Sequence, residues 1–270
     1  MKITKITVQK KRKDRYNIFL DRGNGEEYAF SVDEGVLIEW QLKKGMFLTQ
    51  EQEEEIKASD FKKDALNKGL QYLAHGMKTE YQIKDYLFQK DFPEDAIHDA
   101  VEKIRSFGYI NDKEFADAFV RTKMNTSDKG PAVIKEELKN KGVHLSIADL
   151  ALQQYSDDKQ LAQAIRIIEK KGKRKKNESA SLVKKRLTEG LLRKGYSLSI
   201  IDTALKEADL SHNEEDEWLA LCSQGEKARR KLNKKYEGST FRMKLKENLY
   251  RKGFSLSLIE QYIKNTEEEK

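Results

Sequence analysis

Two short stretches hold most of the side chains in this sequence that could do chemistry. Lysine and arginine fill six of the seven positions from 170 to 176 and six of the nine positions from 227 to 235. Ammonium and guanidinium groups at this density bind phosphates and release the counterions around a polyanion. The two stretches therefore predict binding to an extended polyanion such as nucleic acid. The alternative is a basic face that contacts only solvent.

The predicted binding surface consists of these two stretches and the basic residues that follow each of them along the chain. Its members are Lys170, Lys171, Lys173, Arg174, Lys175, Lys176, Lys184, Lys185, Arg193, Lys194, Lys227, Arg229, Arg230, Lys231, Lys234, Lys235, Arg251 and Lys252. Arg186, Arg242 and Lys244 could widen it. Tyr236 and Tyr250 lie among these charges and could stack on bases.

No other combination of residues predicts catalysis or metal binding. Cys222 is the single cysteine, and the four histidines are scattered without a motif around them. The glycines near residue 24 precede no predicted helix, so they indicate a turn and not a phosphate-binding loop. The sequence therefore predicts a protein that is not an enzyme and that needs no cofactor or metal.

Composition and charge favour a helical protein with a large polar surface. Charged residues make up 37% of the chain, and it contains only 15 Gly and 2 Pro. Residues 157–270 carry 27 Lys+Arg and 19 Asp+Glu, a net +8, whereas residues 1–156 carry a net −1. No apolar run reaches the roughly 20 residues of a membrane span, and the N-terminus lacks the apolar centre of a signal peptide. We expect a cytoplasmic protein with no membrane partner.

The first 32 residues alternate between apolar and polar types, which is typical of strands. The apolar positions are Ile6 and Val8 in the first run, Tyr16, Ile18 and Leu20 in the second, and Tyr28, Phe30 and Val32 in the third. Residues 21–25 contain two glycines and predict a turn between the last two runs. These features predict a small antiparallel sheet of about three strands.

The rest of the chain contains four copies of one pattern, which is clearest where RKGYSLSIID (193–202) recurs as RKGFSLSLIE (251–260). The copies align on Gly142, Gly195 and Gly253, with Asp91 at this position in the first copy. Apolar residues recur eight and four positions earlier, on one face of a helix. They are Ile83 and Leu87, Ile134 and Leu138, Leu187 and Leu191, and Leu245 and Leu249. One position after the glycine, Phe92, Val143, Tyr196 and Phe254 are predicted core anchors.

Each copy predicts three helices. A basic turn is expected between the first and second helices, the second helix ends at the Lys-Gly pair, and a serine begins the third. The predicted N-caps are Ser146, Ser199 and Ser257, and Pro93 marks this start in the first copy. One such unit buries little apolar surface, so neighbouring units must stack.

We therefore predict a mainly α fold, a tandem array of three-helix repeats forming a curved, elongated, solenoid-like chain with a small N-terminal antiparallel β element. The predicted domains are the β element with a helix at 1–58 and repeats at 59–108, 109–156, 157–212 and 213–270.

FGYINDKEFADAFVRTKMNTSDKGPAVIKEELKNKGV (107–143) and ALNKGLQYLAHGMKTEYQIKDYLFQKDF (65–92) resemble the central and first units of the RecX family of recombinase regulators. Two positions depart from the family pattern. Asp91 replaces a common glycine, and Gly76 stands where an arginine is frequent in the first turn.

The resemblance implies a non-enzymatic regulator that binds the RecA recombinase filament on single-stranded DNA. It also implies inhibition of ATP hydrolysis, strand exchange and co-protease activity, and so roles in homologous recombination, DNA repair and the SOS response. We expect a monomer, with double-stranded DNA left open as a further partner. Two alternatives remain at this point: a general nucleic-acid-binding protein without a recombinase partner, and a scaffold for acidic helices.

Overall fold

The computed structural model describes residues 1–172, 177–208 and 214–268, which form a three-stranded sheet and thirteen α-helices. The prediction of a mainly helical fold with a small N-terminal sheet is confirmed. The chain divides into two compact units, Met1–Phe119 with Leu138–Ala151, and Val120–Glu137 with Leu152–Lys270. Lys173, Arg174, Lys175 and Lys176 lie outside the described residues.

The N-terminal sheet is antiparallel in the order β1-β2-β3, with strands β1 (Lys2–Val8), β2 (Arg15–Asp21) and β3 (Glu26–Asp33). The predicted apolar face is correct for Ile18, Leu20, Phe30 and Val32, which are buried. It is wrong for Val8 and Tyr28, which are 50% and 58% exposed. The β2–β3 register shifts between Ile18 and Phe19, and a shift of one residue turns Tyr28 to the face opposite Phe30. Val8 pairs with Tyr16 and is exposed at the end of β1, an edge strand of the sheet.

The sheet is fixed to the helix that begins the first repeat. The guanidinium of Arg15 in β2 lies 2.5 Å from Asp60, and the backbone N–H of Asp33 donates to the same carboxylate at 2.7 Å. Arg15 and Asp60 are both buried, so each requires the other as a partner. Nearer the start of that helix, Arg22 donates to the buried Glu53 at 2.8 Å. The N-terminal element is therefore anchored to the first repeat by one buried ion pair and by a second whose carboxylate is buried.

Short helix α1 (Glu34–Glu39) follows the sheet, and the remaining twelve described helices form four groups of three. The first repeat contains α2 (Gln50–Leu73), α3 (Glu80–Phe88) and α4 (Glu94–Ser106), and the second contains α5 (Asp112–Thr126), α6 (Pro131–Asn140) and α7 (Leu145–Leu152). The third contains α8 (Asp157–Lys171), α9 (Ala180–Arg193) and α10 (Leu198–Glu207), and the fourth contains α11 (Glu214–Leu232), α12 (Gly238–Arg251) and α13 (Leu256–Glu268).

The apolar pattern that defines the repeats coincides with the core of each group. All eight apolar residues predicted on the second helices are buried, with at most 4% of any of them exposed. The anchors Val143, Tyr196 and Phe254 are also buried, and Phe92 is partly buried against the core of the first repeat. The prediction of the repeat core is therefore confirmed in all four copies.

The predicted serine caps of the third helices are wrong by two residues. The hydroxyl of Ser197 accepts the N–H of Ile200, and the hydroxyl of Ser255 accepts the N–H of Leu258. The helices therefore begin after the first serine of each Ser-Leu-Ser and not after Ser199 or Ser257. In the second repeat, Ser146 likewise lies inside α7, whose first residue is Leu145. In the third and fourth repeats, the capping serine directly follows the buried anchor, Tyr196 or Phe254.

Neighbouring repeats meet at a recurrent contact, here called the inter-repeat joint: the N-terminal end of one repeat's second helix against the Lys-Gly turn of the next. The Thr79 hydroxyl donates to the carbonyl of Lys141 at 2.6 Å, and the Ser179 hydroxyl donates to that of Lys252 at 2.6 Å. Between the second and third repeats, the Gly130 N–H donates to the carbonyl of Lys194 at 2.7 Å. The same carbonyl of the repeat therefore accepts a hydrogen bond in all three joints.

The glycine of each turn is required at the joint for a reason beyond its left-handed backbone. Gly195 has φ +88°, and a Cβ at this position would lie 2.6 Å from the backbone nitrogen of Val133. Gly253 has φ +84°, and its Cβ would lie 2.7 Å from the Ser179 hydroxyl. Asp91, at the same position of the first repeat, has φ 61° and is exposed. Only the glycines that face a preceding repeat are therefore under the steric restriction.

Candidate nucleic-acid interface

The predicted binding residues within the described part of the chain all belong to the third and fourth repeats. In the third repeat, α8 ends with Lys170 and Lys171, and α9 contains Lys184 and Lys185 and closes with Arg193 and Lys194. In the fourth repeat, α11 contains Lys227, Arg229, Arg230 and Lys231 and is followed by Lys234 and Lys235. Helix α12 closes with Arg251 and Lys252. Lys173, Arg174, Lys175 and Lys176 are outside the described residues, so their grouping with the others stays a prediction.

The second basic stretch was predicted to be a turn, but it is mainly helix. Residues 227–231 form the last turns of α11, which continues to Leu232. Lysine and arginine favour helices, and positive charge is stabilised at a helix C-terminus by the helix dipole. This helical conformation distributes the basic side chains around the helix, so that Lys227 and Lys231, four residues apart, share one face while Arg229, two residues from each, lies on another.

Lys252 closes α12 on the same side of the fourth repeat as this face of α11. Its ammonium group donates to the side-chain oxygen of Gln224 at 2.5 Å. Gln224 lies one turn before Lys227 on α11, so the bond brings the Lys252 ammonium to the helix face that carries Lys227 and Lys231. Gln224 also donates to the carbonyl of Asn177 at 3.0 Å, in the segment before the second helix of the third repeat. We call Lys227, Lys231 and Lys252 the lysine cluster.

The lysine cluster has positive charge that no neighbouring carboxylate offsets. Within the described ranges, no carboxylate lies at ion-pair distance from any of its three members. Burial lowers the pKa of Lys252, and the charges of Lys227 and Lys231 lower the pKa of Lys252 further. Both causes disfavour the charged form of an ammonium group. The cluster is therefore a site of concentrated positive potential on the surface of the fourth repeat.

Other predicted binding residues have carboxylate partners. Lys194, at the position in the third repeat that Lys252 occupies in the fourth, lies 3.2 Å from Asp128. Arg186 forms a pair with Glu178 at 3.2 Å. Arg230 lies 3.9 Å from Glu226, but both side chains are largely exposed, so this pair contributes little. Within the described part of the predicted set, Lys194 is thus neutralised by a carboxylate, whereas the lysine cluster is not.

The aromatic residues of this region fall into two groups. Tyr196 and Phe254 are 3% and 2% exposed, so neither can stack on a base. Tyr250, adjacent to Arg251 in the last turn of α12, is 59% exposed, and Tyr236 is 36% exposed. Only the latter pair remains available as stacking platforms beside the basic surface.

Sequence reasoning missed Gln224 and Asn177, which position the cluster. Both are ordinary polar residues outside the repeat pattern, and no sequence signal marks them. Among the described residues, His, Cys, Asp and Glu side chains do not gather in threes as a metal site would require. No described helix combines the length and the apolar character needed to cross a membrane.

Comparison with protein-family models gives matches along most of the chain. Residues 1–49 match the regulatory protein RecX N-terminal domain, residues 65–103 the first three-helix domain of RecX, residues 111–152 the second, and residues 157–205 and 214–263 both match the third. The third and fourth repeats therefore match one and the same domain model, in agreement with the duplicated decapeptide.

Comparison with individual proteins gives similarity over nearly the whole chain. The chain is 41% identical over 267 residues to "Regulatory protein RecX" of Bacillus cereus (strain G9842), covering 99% of this chain and 98% of that protein. It is 42% identical over 267 residues, with the same coverage, to the protein of that name from Bacillus thuringiensis (strain Al Hakam).

Two solved structures are also similar. A "Crystal structure of regulatory protein RecX" has TM-score 0.62 and 36% identity, covering 76% of this chain and 99% of that one. The "Crystal structure of RecX from Lactobacillus salivarius" has TM-score 0.54 and 38% identity, covering 56% and 99%.

Proposed function

This chain belongs to the RecX family of regulatory proteins, and from that premise we propose that it binds RecA-type recombinase filaments on single-stranded DNA and inhibits them. The inhibited activities are the recombinase's ATP hydrolysis, strand exchange and co-protease activity. Through these it controls homologous recombination, DNA repair and the SOS response. The protein acts in the cytoplasm as a monomer and catalyses no reaction itself.

The observation that carries this proposal is the unneutralised lysine cluster on the fourth repeat. A recombinase filament on DNA is a repeating structure with a phosphate backbone, and a stacked helical array can bind such a partner at several repeats at once. Phosphate binding releases counterions, so the interaction weakens steeply as salt rises. Exposed Tyr250 beside Arg251 adds a platform for an unpaired base in a single strand.

The test is the DNA-dependent ATPase rate of a cognate recombinase, measured with increasing amounts of this protein. A regulator of the filament lowers the rate when it is present at far fewer copies than the recombinase, and excess single-stranded DNA does not restore the rate. A protein that only sequesters DNA lowers the rate in proportion to the DNA it covers, and excess DNA restores it. The second result would replace the proposal with general nucleic-acid binding.

Filament binding is measured separately by sedimentation of recombinase filaments assembled with a non-hydrolysable nucleotide. Co-sedimentation with filaments but not with bare DNA at the same salt concentration supports a protein contribution to the interface. Absence of the protein from both pellets would leave only the scaffold for acidic helices among the alternatives.

A further inference from the structure

The lysine at the end of each second helix has a different environment in each repeat. Lys90 lies over the ring of Tyr86 at 5.8 Å, and Lys141 lies over the ring of Phe119 at 5.5 Å. Aromatic faces attract ammonium groups at these distances. Lys194 is paired with Asp128. Three of the four equivalent lysines therefore have a partner that stabilises their charge.

Lys252 is the exception. Its one described side-chain partner is the neutral oxygen of Gln224, and its charged neighbours are Lys227 and Lys231. The charges of Lys227 and Lys231 repel the charge of Lys252. The Lys252 ammonium group is also partly buried, so it is less hydrated than one in water. Lys252 is also held in place on its backbone side, because its carbonyl accepts the Ser179 hydroxyl at the inter-repeat joint. The joint thus fixes the backbone of Lys252, and the bond to Gln224 orients its side chain.

We propose that Lys227, Lys231 and Lys252 form a binding site for a phosphate group, with Gln224 holding Lys252 in position. The proposal rests on the proposed function in one respect, since the source of the phosphate is taken to be the backbone of single-stranded nucleic acid. Three neighbouring ammonium groups, with no carboxylate at ion-pair distance among the described residues, match the charge and the several acceptor oxygens of a phosphate. The bound phosphate removes the repulsion within the cluster.

Nucleic acid is favoured over an acidic protein segment by what surrounds the cluster. Lys234 and Lys235 are exposed and follow α11 directly, continuing the positive charge beyond Lys231. Tyr250 is exposed two residues before Lys252 and offers a flat face to a base. A single strand supplies phosphates and bases in alternation, and the fourth repeat presents both the lysine cluster and an exposed aromatic ring.

The position of the site links binding to the fold. Gln224 connects Lys252 of the fourth repeat to the Asn177 carbonyl of the third. A bound phosphate relieves the repulsion between Lys252 and its neighbouring lysines. The contact through Gln224 between the third and fourth repeats then becomes stronger. We therefore expect phosphate binding to raise the stability of this joint, in addition to attaching the strand.

The experiment compares the full chain with Lys227→Gln and with the control Lys206→Gln, which removes an equal charge from an exposed position on α10. Neither substitution disturbs a described hydrogen bond, and glutamine maintains helix propensity. The probes are inorganic pyrophosphate and a single-stranded oligothymidine, each at ionic strength matched with chloride. The readouts are thermal midpoint and oligonucleotide affinity across a salt series.

We expect Lys227→Gln to raise the thermal midpoint of the free protein, because it removes a like charge, and to diminish the increase that pyrophosphate produces in the unsubstituted chain. Oligothymidine affinity falls by about fivefold at 0.1 M salt, and the salt slope decreases by about 0.7, as expected when one phosphate is no longer neutralised. Lys206→Gln leaves the pyrophosphate response unchanged.

The site is overturned if Lys227→Gln and Lys206→Gln have equal effects on both probes, or if polyglutamate stabilises the chain as well as pyrophosphate at matched charge. A response to pyrophosphate without one to oligothymidine overturns the nucleic-acid source and leaves a site for free phosphate. The ATPase assay is independent of these readouts: a site that binds both probes, in a protein that does not inhibit the recombinase, supports the site and refutes the proposed function.

Discussion

Replacing Gly195 by alanine measures what the close approach of two repeats contributes to stability. The residue has φ +88°, so any side chain costs about 1 kcal/mol for the left-handed backbone alone. The added Cβ would also lie 2.6 Å from the backbone nitrogen of Val133, which cannot move without displacing the start of α6. That displacement breaks the hydrogen bonds from the N–H groups of Gly130 and Ala132 across the joint.

Two broken hydrogen bonds at about 1 kcal/mol each bring the expected destabilisation by Gly195→Ala to about 3 kcal/mol. The matched control is Gly108→Ala. Gly108 has φ +76° and ends a helix in the same way, but nothing lies within 4 Å of the position of its Cβ. Its substitution should therefore cost only the backbone part, about 1 kcal/mol.

The assay is urea denaturation together with amide hydrogen exchange. In Gly195→Ala, the amides of Gly130 and Ala132 should lose protection before the rest of the second repeat does, whereas in Gly108→Ala they should remain protected. Equal destabilisation by the two substitutions, with unchanged protection of Gly130 and Ala132, would show that the joint tolerates a Cβ and that the glycine serves only its backbone conformation.

Three further predictions concern the caps, the first repeat and a buried tyrosine pair. Ser197→Ala should lower the free energy of unfolding in urea by about 1 kcal/mol and Ser199→Ala by much less, because only the former removes a helix N-cap. Asp91→Gly should raise the thermal midpoint, because Asp91 is exposed with φ 61°. Tyr196→Phe should cost about 1–3 kcal/mol, because it leaves the Tyr155 hydroxyl, 3.1 Å away, buried without its partner, and replacing both by phenylalanine should restore most of the stability.

The tyrosine pair also predicts a pH dependence. Burial raises the pKa of Tyr155 and raises the pKa of Tyr196 further. A raised pKa in the folded state means that the folded protein holds these protons more tightly than the unfolded chain. The associated stability is present below the ordinary tyrosine pKa of about 10 and is lost as pH rises above it. Unfolding in alkali should therefore shift to higher pH in the double phenylalanine variant.

Each of these predictions can be contradicted by a specific result. Equal losses of stability for Ser197→Ala and Ser199→Ala would place the helix start where the sequence alone predicted it. A lower melting point for Asp91→Gly would show that the carboxylate of Asp91 has a stabilising contact. Additive destabilisation in the tyrosine pair, without recovery in the double variant, would show that the two hydroxyls do not depend on each other.

The repeat core was predictable because burial leaves a periodic record in the sequence. A leucine or isoleucine that faces the core recurs with the repeat, so Ile83, Leu138 and Leu249 could be identified without coordinates. The sheet faces were predictable only between irregularities. The irregularity opposite the step from Ile18 to Phe19 was enough to turn Tyr28 away from the face of Phe30, and no residue type marks it in the sequence.

The candidate site was predictable as a composition but not as an arrangement. Density of charge indicates a polyanion partner, yet it does not distinguish a lysine with an acidic partner 66 residues away, such as Lys194, from one without. That distinction depends on which repeats stack and on which side of α11 each residue lies. It separates Lys252 from Lys194, two residues with nearly identical local sequence.

The inter-repeat joint joins two unlike surfaces, and this gives the chain a direction. Contacts between unlike surfaces continue without limit when both surfaces remain free at opposite ends, so copies of such a chain could polymerise end to end. At the first repeat, the position of the turn glycine that would receive another copy's helix is Asp91, which is exposed with φ 61°. At Gly195, a Cβ would lie 2.6 Å from the backbone nitrogen of Val133 in the neighbouring helix. Since any residue other than glycine places a Cβ at this position, we expect the first repeat to refuse the helix of a second copy, so that end-to-end growth would not begin there.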